Sequence, residues 1–453
     1  MTFVFYKHKQ FYQQIDIWGE QNMKLFGTMK IDNNQLTIGG VKAVDLIREY
    51  GSPLYVFDEA LIREYCRDYR KYFKCDENNN RVAFAGKAFL TVQMCKLLKE
   101  ENMSLDVVSG GELYTAYKAG FPLEKIMFHG NNKTLEEIEL GVKLGVGNFV
   151  VDNYYEMDAL NKIAKSYGKI QNIYLRITPG IEAHTHDYIK TGQVDSKFGF
   201  APIGTVIEEA VEKAINLENI RLVGIHCHIG SQIFELQPYE DAVEVMLELV
   251  KKIKEKHGYF IKEVDFGGGF GIYYSKGDKP KTTKEYCETI IKKVDEVCSR
   301  IGQDRPIITI EPGRSIVANA GTTIYTVGAV KDIPGVRKYV SVDGGMADNI
   351  RPALYNADYE CVIANRVHGE REECVTIAGK CCESGDILLE NVNLPEVSTG
   401  DILAVMTTGA YGYSMSNNYN RIPKPAVVMV ADGNSRLICR RESYEDVLRN
   451  DIV

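Results

Sequence analysis

Little in this sequence would send the chain to a membrane, a nucleic acid or the cell exterior. No run approaches the ~18 uninterrupted apolar residues of a membrane-spanning helix. Lys7, His8 and Lys9 interrupt the apolar residues near the start, so no export signal is read there. Basic residues are the minority: 54 Lys and Arg against 62 Asp and Glu leave a net charge of −8, which offers no positive field to a phosphate backbone. Paired cysteine spacing is missing as well. The 11 cysteines are scattered, odd in number and nowhere spaced CxxC, which reads as reduced thiols in a cytoplasm rather than a disulfide framework. Low-complexity segments and long single-charge runs are absent. Residues 1–30 read as a poorly packed leader with no assigned function.

What is present has a rhythm. Short β-rich runs occur at 81–87, 104–109, 125–130, 148–153, 172–177, 221–227, 263–268 and 306–311, with amphipathic helical segments between them. In "GTVIEEAVEKAINL" one stripe holds Val206, Ile207, Ala210, Val211, Ala214 and Ile215, opposite Glu208, Glu209, Glu212 and Lys213. "TLEEIELGVKLG" and "YEDAVEVMLELVKKIKEKHG" behave alike, the latter with Gly258 as its stop. Eight βα units over about 250 residues predict a (β/α)8 barrel spanning 53–314. An open doubly wound sheet is the alternative, but it seldom needs eight consecutive units. After Arg314 strands follow one another without helices, as in "TTIYTVGAV", "KYVSVDG", "ECVTIAG" and "KPAVVMVADG". They predict a C-terminal all-β domain, a sandwich or small barrel, over 315–453, joined by 31–52 through "LTIGG".

Polar residues gather at the ends of the predicted barrel strands. Lys87 ends the first in "RVAFAGKAFL", Asp106 and Ser109 lie on the second, and His129 ends the third. Arg176 is on the fifth, and His226 and His228 are on the sixth. Glu311 and Arg314 follow the eighth. In such barrels the C-terminal strand ends carry the active site. Any one lysine there more often snorkels to water. Charged and imidazole groups at the ends of most strands point instead to a site.

"DFGGGFG" narrows the chemistry. Gly267, Gly268 and Gly269 follow the seventh strand, where loops of this fold frequently hold phosphate, and bare backbone approaches an anion closely. Ser231 and Arg314 are candidates to add hydroxyl and charge-assisted contacts. A strand-end lysine, a phosphate loop, an acid and a histidine together suggest pyridoxal phosphate. That cofactor needs a lysine for its Schiff base, which would remove the ammonium charge of Lys87. It also needs an acid at its pyridine nitrogen, which suits Glu311, and His228 is placed to stack on the ring.

"FAGKAFL", "LDVVSGGEL", "FHGNNKT", "HTHDYIKTGQVDSKFGF", "GIHCHIGSQI", "DFGGGFGI" and "EPGRSIVANAG" resemble the alanine-racemase-fold, pyridoxal-phosphate-dependent decarboxylases. "DNIRPALY", "CCESGD" and "GAYGYSMSNNYN" resemble the diaminopimelate decarboxylases among them. The resemblance implies removal of CO2 from the D-centre of meso-diaminopimelate to give L-lysine. A related decarboxylase of D-lysine or D-ornithine is the neighbouring reading. It implies that Lys87 carries the cofactor and that His228, Ser231, Gly267, Gly268, Gly269, Glu311, Pro312, Gly313, Arg314 and Tyr411 surround it. It implies that Arg314, Arg351, Tyr355, Glu383 and Tyr411 hold substrate, and that Cys382 handles the proton at Cα. It also implies a homodimer in which the Cys-Glu motif completes the partner's site, with no metal.

The charges agree with that substrate. Its distal end is a zwitterion, so Arg351 offers a planar fork to the carboxylate and Glu383 a counter-charge to the ammonium. An arginine there would disfavour a substrate lacking the distal carboxylate, such as ornithine. Two other classes compete. "HCH" at 226–228 has the i, i+2 spacing of a metal hydrolase, but on the sixth strand rather than the first, and it would leave the glycine loop idle. A non-catalytic cofactor-binding protein would need Lys87 but not the all-β domain with "CESGD".

Overall fold

The computed structural model describes residues 23–181, 195–369 and 373–452. Eight parallel strands close into a barrel: Arg81–Ala85 (β1), Ser104–Val107 (β2), Ile126–Phe128 (β3), Asn148–Val151 (β4), Gln171–Ile177 (β5), Ile220–Cys227 (β6), Glu263–Asp265 (β7) and Ile307–Ile310 (β8). Each pairs with the next, and β8 pairs with β1. The closed ring decides against the open sheet. All eight sit where the sequence places them.

The first strand shows how the barrel sorts its residues. Val82 and Phe84 belong to the core between strands and helices, whereas Ala83 belongs to a separate inner cluster with Met127, Val150 and Tyr174. Period-two alternation sends Val82 and Phe84 outward and Ala83 inward. The lower mouth is closed by polar contacts: Glu263 is bonded by Arg81 and by the Tyr174 hydroxyl. Helices Leu135–Leu144 and Thr283–Ile301 start at capping boxes, Thr134 with Glu137 and Thr282 with Glu285. Helix Gln237–His257 stops at Gly258, whose φ of +63° is left-handed.

The second body is a nine-stranded sheet arrangement built around Gly321–Ile333, which pairs with Arg337–Val342, Ile402–Val405 and Leu54–Asp58. The last of these corrects the boundary at residue 53. Leu54–Asp58 also pairs in parallel with Ala426–Ala431, so it is a strand of the β-rich body, not of the barrel. "LTIGG" forms a small three-stranded sheet with its neighbours rather than joining the large one. It leans on that body through Leu36 N–H to the Ala364 carbonyl, 2.8 Å.

The leader is corrected in part. Residues 1–22 lie outside the described residues, but Met23, Phe26 and Met29 are buried in the core, and Phe26 packs on Tyr273 at 6.0 Å. Residues 182–194, the first part of "HTHDYIKTGQVDSKFGF", also lie outside the described residues. No helix among the described residues is long and apolar enough to cross a membrane.

Candidate active site

Strand register gathers the site. Arg176 on β5 is level with His226 on β6, which is level with Asp265 on β7. On the other side Ala85 is level with Asp106. These positions form one layer at the C-terminal mouth, under a cavity of about 630 Å3. Lys87, His228, Glu311, Arg314, Arg351, Tyr355 and Tyr411 all line it. The barrel therefore contributes one wall and the β-rich body the other.

Lys87 sits on the tight turn Gly86–Ala88 just past β1, exposed to this cavity. It makes no ion pair among the described residues. The apolar residues flanking it, Ala85, Ala88 and Phe89, are buried while Lys87 itself faces the cavity. Tyr411 is tied to this turn. Its N–H donates to the Ala88 carbonyl at 2.9 Å, and the Ser414 hydroxyl donates to the same oxygen at 3.0 Å. Tyr411 holds φ at +61°, a region that tyrosine rarely occupies, and such strain concentrates at functional sites.

Glu311 is the buried anion of the floor. His226 Nε2 lies 3.1 Å from one of its oxygens and His129 Nε2 lies 2.7 Å from the other. Burial works against its charge, yet the two imidazoles hold it well below the usual carboxylate range. Asp265 behaves oppositely: burial and then Glu311 push its carboxyl well above the usual range, although it accepts from Gly267 N–H at 2.8 Å. Two neighbouring carboxyls are thus pushed in opposite directions, Glu311 down and Asp265 up. His228, half-buried, is driven well below 6.5 by burial and by the charge of Lys87, so its ring is neutral, and its Nδ1 accepts from Gly268 N–H at 3.3 Å.

The glycine loop is packed without room for side chains. A Cβ on Gly268 would lie 2.1 Å from the Glu311 carbonyl, and one on Gly269 would lie 2.2 Å from the Gly230 carbonyl. Gly267 has φ +67°. Gly268 and Gly269, with Gly313, Arg314 and Ser315, line a narrow recess of about 50 Å3 beside Lys87. Pro312 closes this end of the barrel by accepting from Ala85 N–H at 3.1 Å.

Arg314 and Arg351 are 8% and 7% exposed, yet neither has a carboxylate partner among the described residues. Arg314 donates to Ser231 Oγ at 2.9 Å and to the Tyr274 hydroxyl at 2.6 Å, and its buried Nε has no hydrogen-bond partner among the described residues. Arg351 donates to Tyr274 at 2.9 Å and to Tyr359 at 2.7 Å. Buried cations without counter-charge are costly, so the arrangement is built for anions that arrive from outside the chain. The ring of Tyr355 lies 5.9 Å from the Arg351 guanidinium.

Cys382 and Glu383 are not brought to this cavity. Both are exposed in the β-rich body, and neither lines the space that Lys87 faces. The "HCH" pair does not form a ligand set. Among the described residues, the group within ligand reach, with atoms within 4.8 Å of one another, is His129, His226 and Glu311, all buried. Sequence reasoning gave no role to Tyr274, Tyr359 or Asp265, because a buried tyrosine ordinarily reads as core and a single strand aspartate as a turn or edge residue.

The floor, the recess and the lysine fit pyridoxal phosphate: a buried anion, a bare-backbone cradle and an amine with no ion pair among the described residues. Comparison with known proteins agrees. Residues 59–318 match the family model described as pyridoxal-dependent decarboxylase, pyridoxal binding domain, which begins just after the misassigned strand. The chain is 52% identical over 431 residues to diaminopimelate decarboxylase of Bacillus subtilis (strain 168), covering 95% of this chain and 98% of that protein. It is 42% identical to the Staphylococcus aureus (strain COL) enzyme, covering 92% and 98%. The crystal structure of diaminopimelate decarboxylase from M. jannaschii in co-complex with L-lysine superposes with a TM-score of 0.88 at 36% identity, covering 94% of this chain and 98% of that one. This chain belongs to the diaminopimelate decarboxylase family of pyridoxal-dependent decarboxylases.

Proposed function

We propose that the chain decarboxylates the D-centre of meso-diaminopimelate to L-lysine and CO2, and that the residues above divide the work as follows. When bound, pyridoxal phosphate supplies an electron sink for the charge left on Cα as CO2 departs. Lys87 is the amine that holds the cofactor. Glu311, kept anionic by His129 and His226, holds the proton on the cofactor's ring nitrogen, and neutral His228 packs against the ring. Gly267, Gly268, Gly269, Gly313, Ser231 and Arg314 receive the phosphate, with Pro312 fixing the turn that carries Gly313. Arg314, Arg351, Tyr355 and Tyr411 take the substrate.

The observation that carries the reading is the pair of buried arginines without a carboxylate. One anion belongs to the cofactor, and the distal carboxylate of diaminopimelate accounts for a second. Cys382 and Glu383 lie outside the cavity of their own chain, which supports a homodimer in which they complete the partner's site. There Cys382 would deliver the proton to Cα and Glu383 would hold the distal ammonium. None of the 11 cysteines forms a disulfide among the described residues, which supports a reducing, cytoplasmic setting. The test is incubation of cofactor-loaded protein with meso-diaminopimelate. L-Lysine and CO2 should form in equal amounts, and the absence of either ends this reading.

A further inference from the structure

Between the two buried guanidiniums stands a phenol that no motif announces. Tyr274 lies five residues beyond the glycine run, its own N–H donating to the Asp278 carboxylate at 2.9 Å. Its hydroxyl oxygen is 2.6 Å from Arg314 Nη1 and 2.9 Å from Arg351 Nη1. Its ring centre is 5.7 Å and 5.0 Å from the two guanidinium carbons, and Tyr359 packs edge-on at 5.5 Å. A guanidinium only donates. Tyr274 must therefore accept from both arginines, which occupies both lone pairs and leaves its single O–H to donate. Tyr274 lines the cavity, so an acceptor that enters there is the natural recipient.

We propose that Tyr274 is a specificity-determining residue: its hydroxyl gathers Arg314 and Arg351 around one point and donates the further hydrogen bond to the distal carboxylate of the substrate. The proposal rests on the reading of meso-diaminopimelate as substrate. Two guanidiniums at this range repel each other. An oxygen accepting from both offsets that repulsion and fixes the forks, so a carboxylate enters a site already built. Burial alone would make the phenol harder to ionise, but the two cations outweigh it and bring it below its ordinary value of 10. The same field favours a bound carboxylate.

The test compares wild-type and Tyr274→Phe holoenzymes. The measurements are kcat and KM for meso-diaminopimelate, inhibition by L-lysine, which keeps the distal carboxylate, and inhibition by 1,5-diaminopentane, which lacks it. Losing a hydrogen bond to a charged group should raise KM and the L-lysine inhibition constant roughly 10- to 100-fold. The change in kcat should be much smaller, inhibition by the diamine should be nearly unchanged, and cofactor absorbance should be retained. Equal weakening of both inhibitors, or loss of cofactor, would make the role structural and overturn the proposal. An unchanged KM would show the hydroxyl idle. Tyr359→Phe, which leaves Arg314 untouched, should shift KM less; a larger shift would transfer the role to Tyr359. Wild-type protein that releases no CO2 from meso-diaminopimelate would instead overturn the functional reading itself.

Discussion

Arg351→Ala removes the guanidinium that the substrate's distal carboxylate is expected to meet. The residue is 7% exposed, so the substrate pair it forms is desolvated. Its Nη1 is already used by Tyr274 and Tyr359, which orient the fork before substrate arrives. Truncating one partner of a desolvated charge pair costs on the order of 2–5 kcal/mol. At ~1.4 kcal/mol per decade, kcat/KM for meso-diaminopimelate should fall roughly 30- to several thousand-fold. Cofactor binding should survive, because the recess at Gly268, Gly269, Gly313 and Arg314 is separate from Arg351. D-Lysine lacks the distal carboxylate, so its decarboxylation, however slow, should be hurt far less. The assay is steady-state kinetics on both substrates in wild type and variant, with cofactor content measured alongside. Equal losses on the two substrates would assign Arg351 to the fold or the cofactor and refute the reasoning.

The other outcomes can be checked with simpler measurements. Borohydride should fix the cofactor to Lys87 and not in Lys87→Ala; peptide mapping to another lysine would contradict the site. Gly268→Ala should abolish cofactor retention, because its Cβ would fall 2.1 Å from the Glu311 carbonyl; a variant that keeps cofactor by absorbance would show that the loop yields. Mixing inactive Lys87→Ala and Cys382→Ala proteins should restore part of the activity through hybrid dimers; no recovery despite proven subunit exchange would argue for a site within one chain. Burial, only partly offset by Glu311, lowers His226 from imidazole's ordinary 6.5 to about 4. The folded state therefore resists a proton that the unfolded state accepts, and stability should fall as pH drops from about 6.5 towards 4. Replacing His226 with Gln should flatten that limb of a Tm–pH profile relative to wild type, and an identical slope would contradict it.

The barrel was legible because each strand is a short apolar run bounded by polar or glycine residues, and the count of eight left few topologies. Leu54–Asp58 was not assignable locally. All five of its residues are buried, so periodicity carries no face information, and only pairing with 321–324 and 426–430 decides its sheet. Ile387–Leu394 and Asn434–Cys439 were missed for the opposite reason. They are edge strands whose exposed polar residues blunt the apolar pattern. At the site, residues on strand ends could be placed from the barrel rule alone. The function of Tyr274 depends on arginines 40 and 77 residues away, and no local pattern encodes that meeting. Cys382 and Glu383 came from resemblance, and a single chain leaves them at its surface.

CO2 release by the cofactor-loaded protein from meso-diaminopimelate, ornithine and D-lysine, measured side by side, tests the central claim most directly. Two buried arginines awaiting anions predict rapid release from meso-diaminopimelate and release slower by orders of magnitude from the two substrates without a distal carboxylate. Comparable or faster release from ornithine or D-lysine would contradict the account.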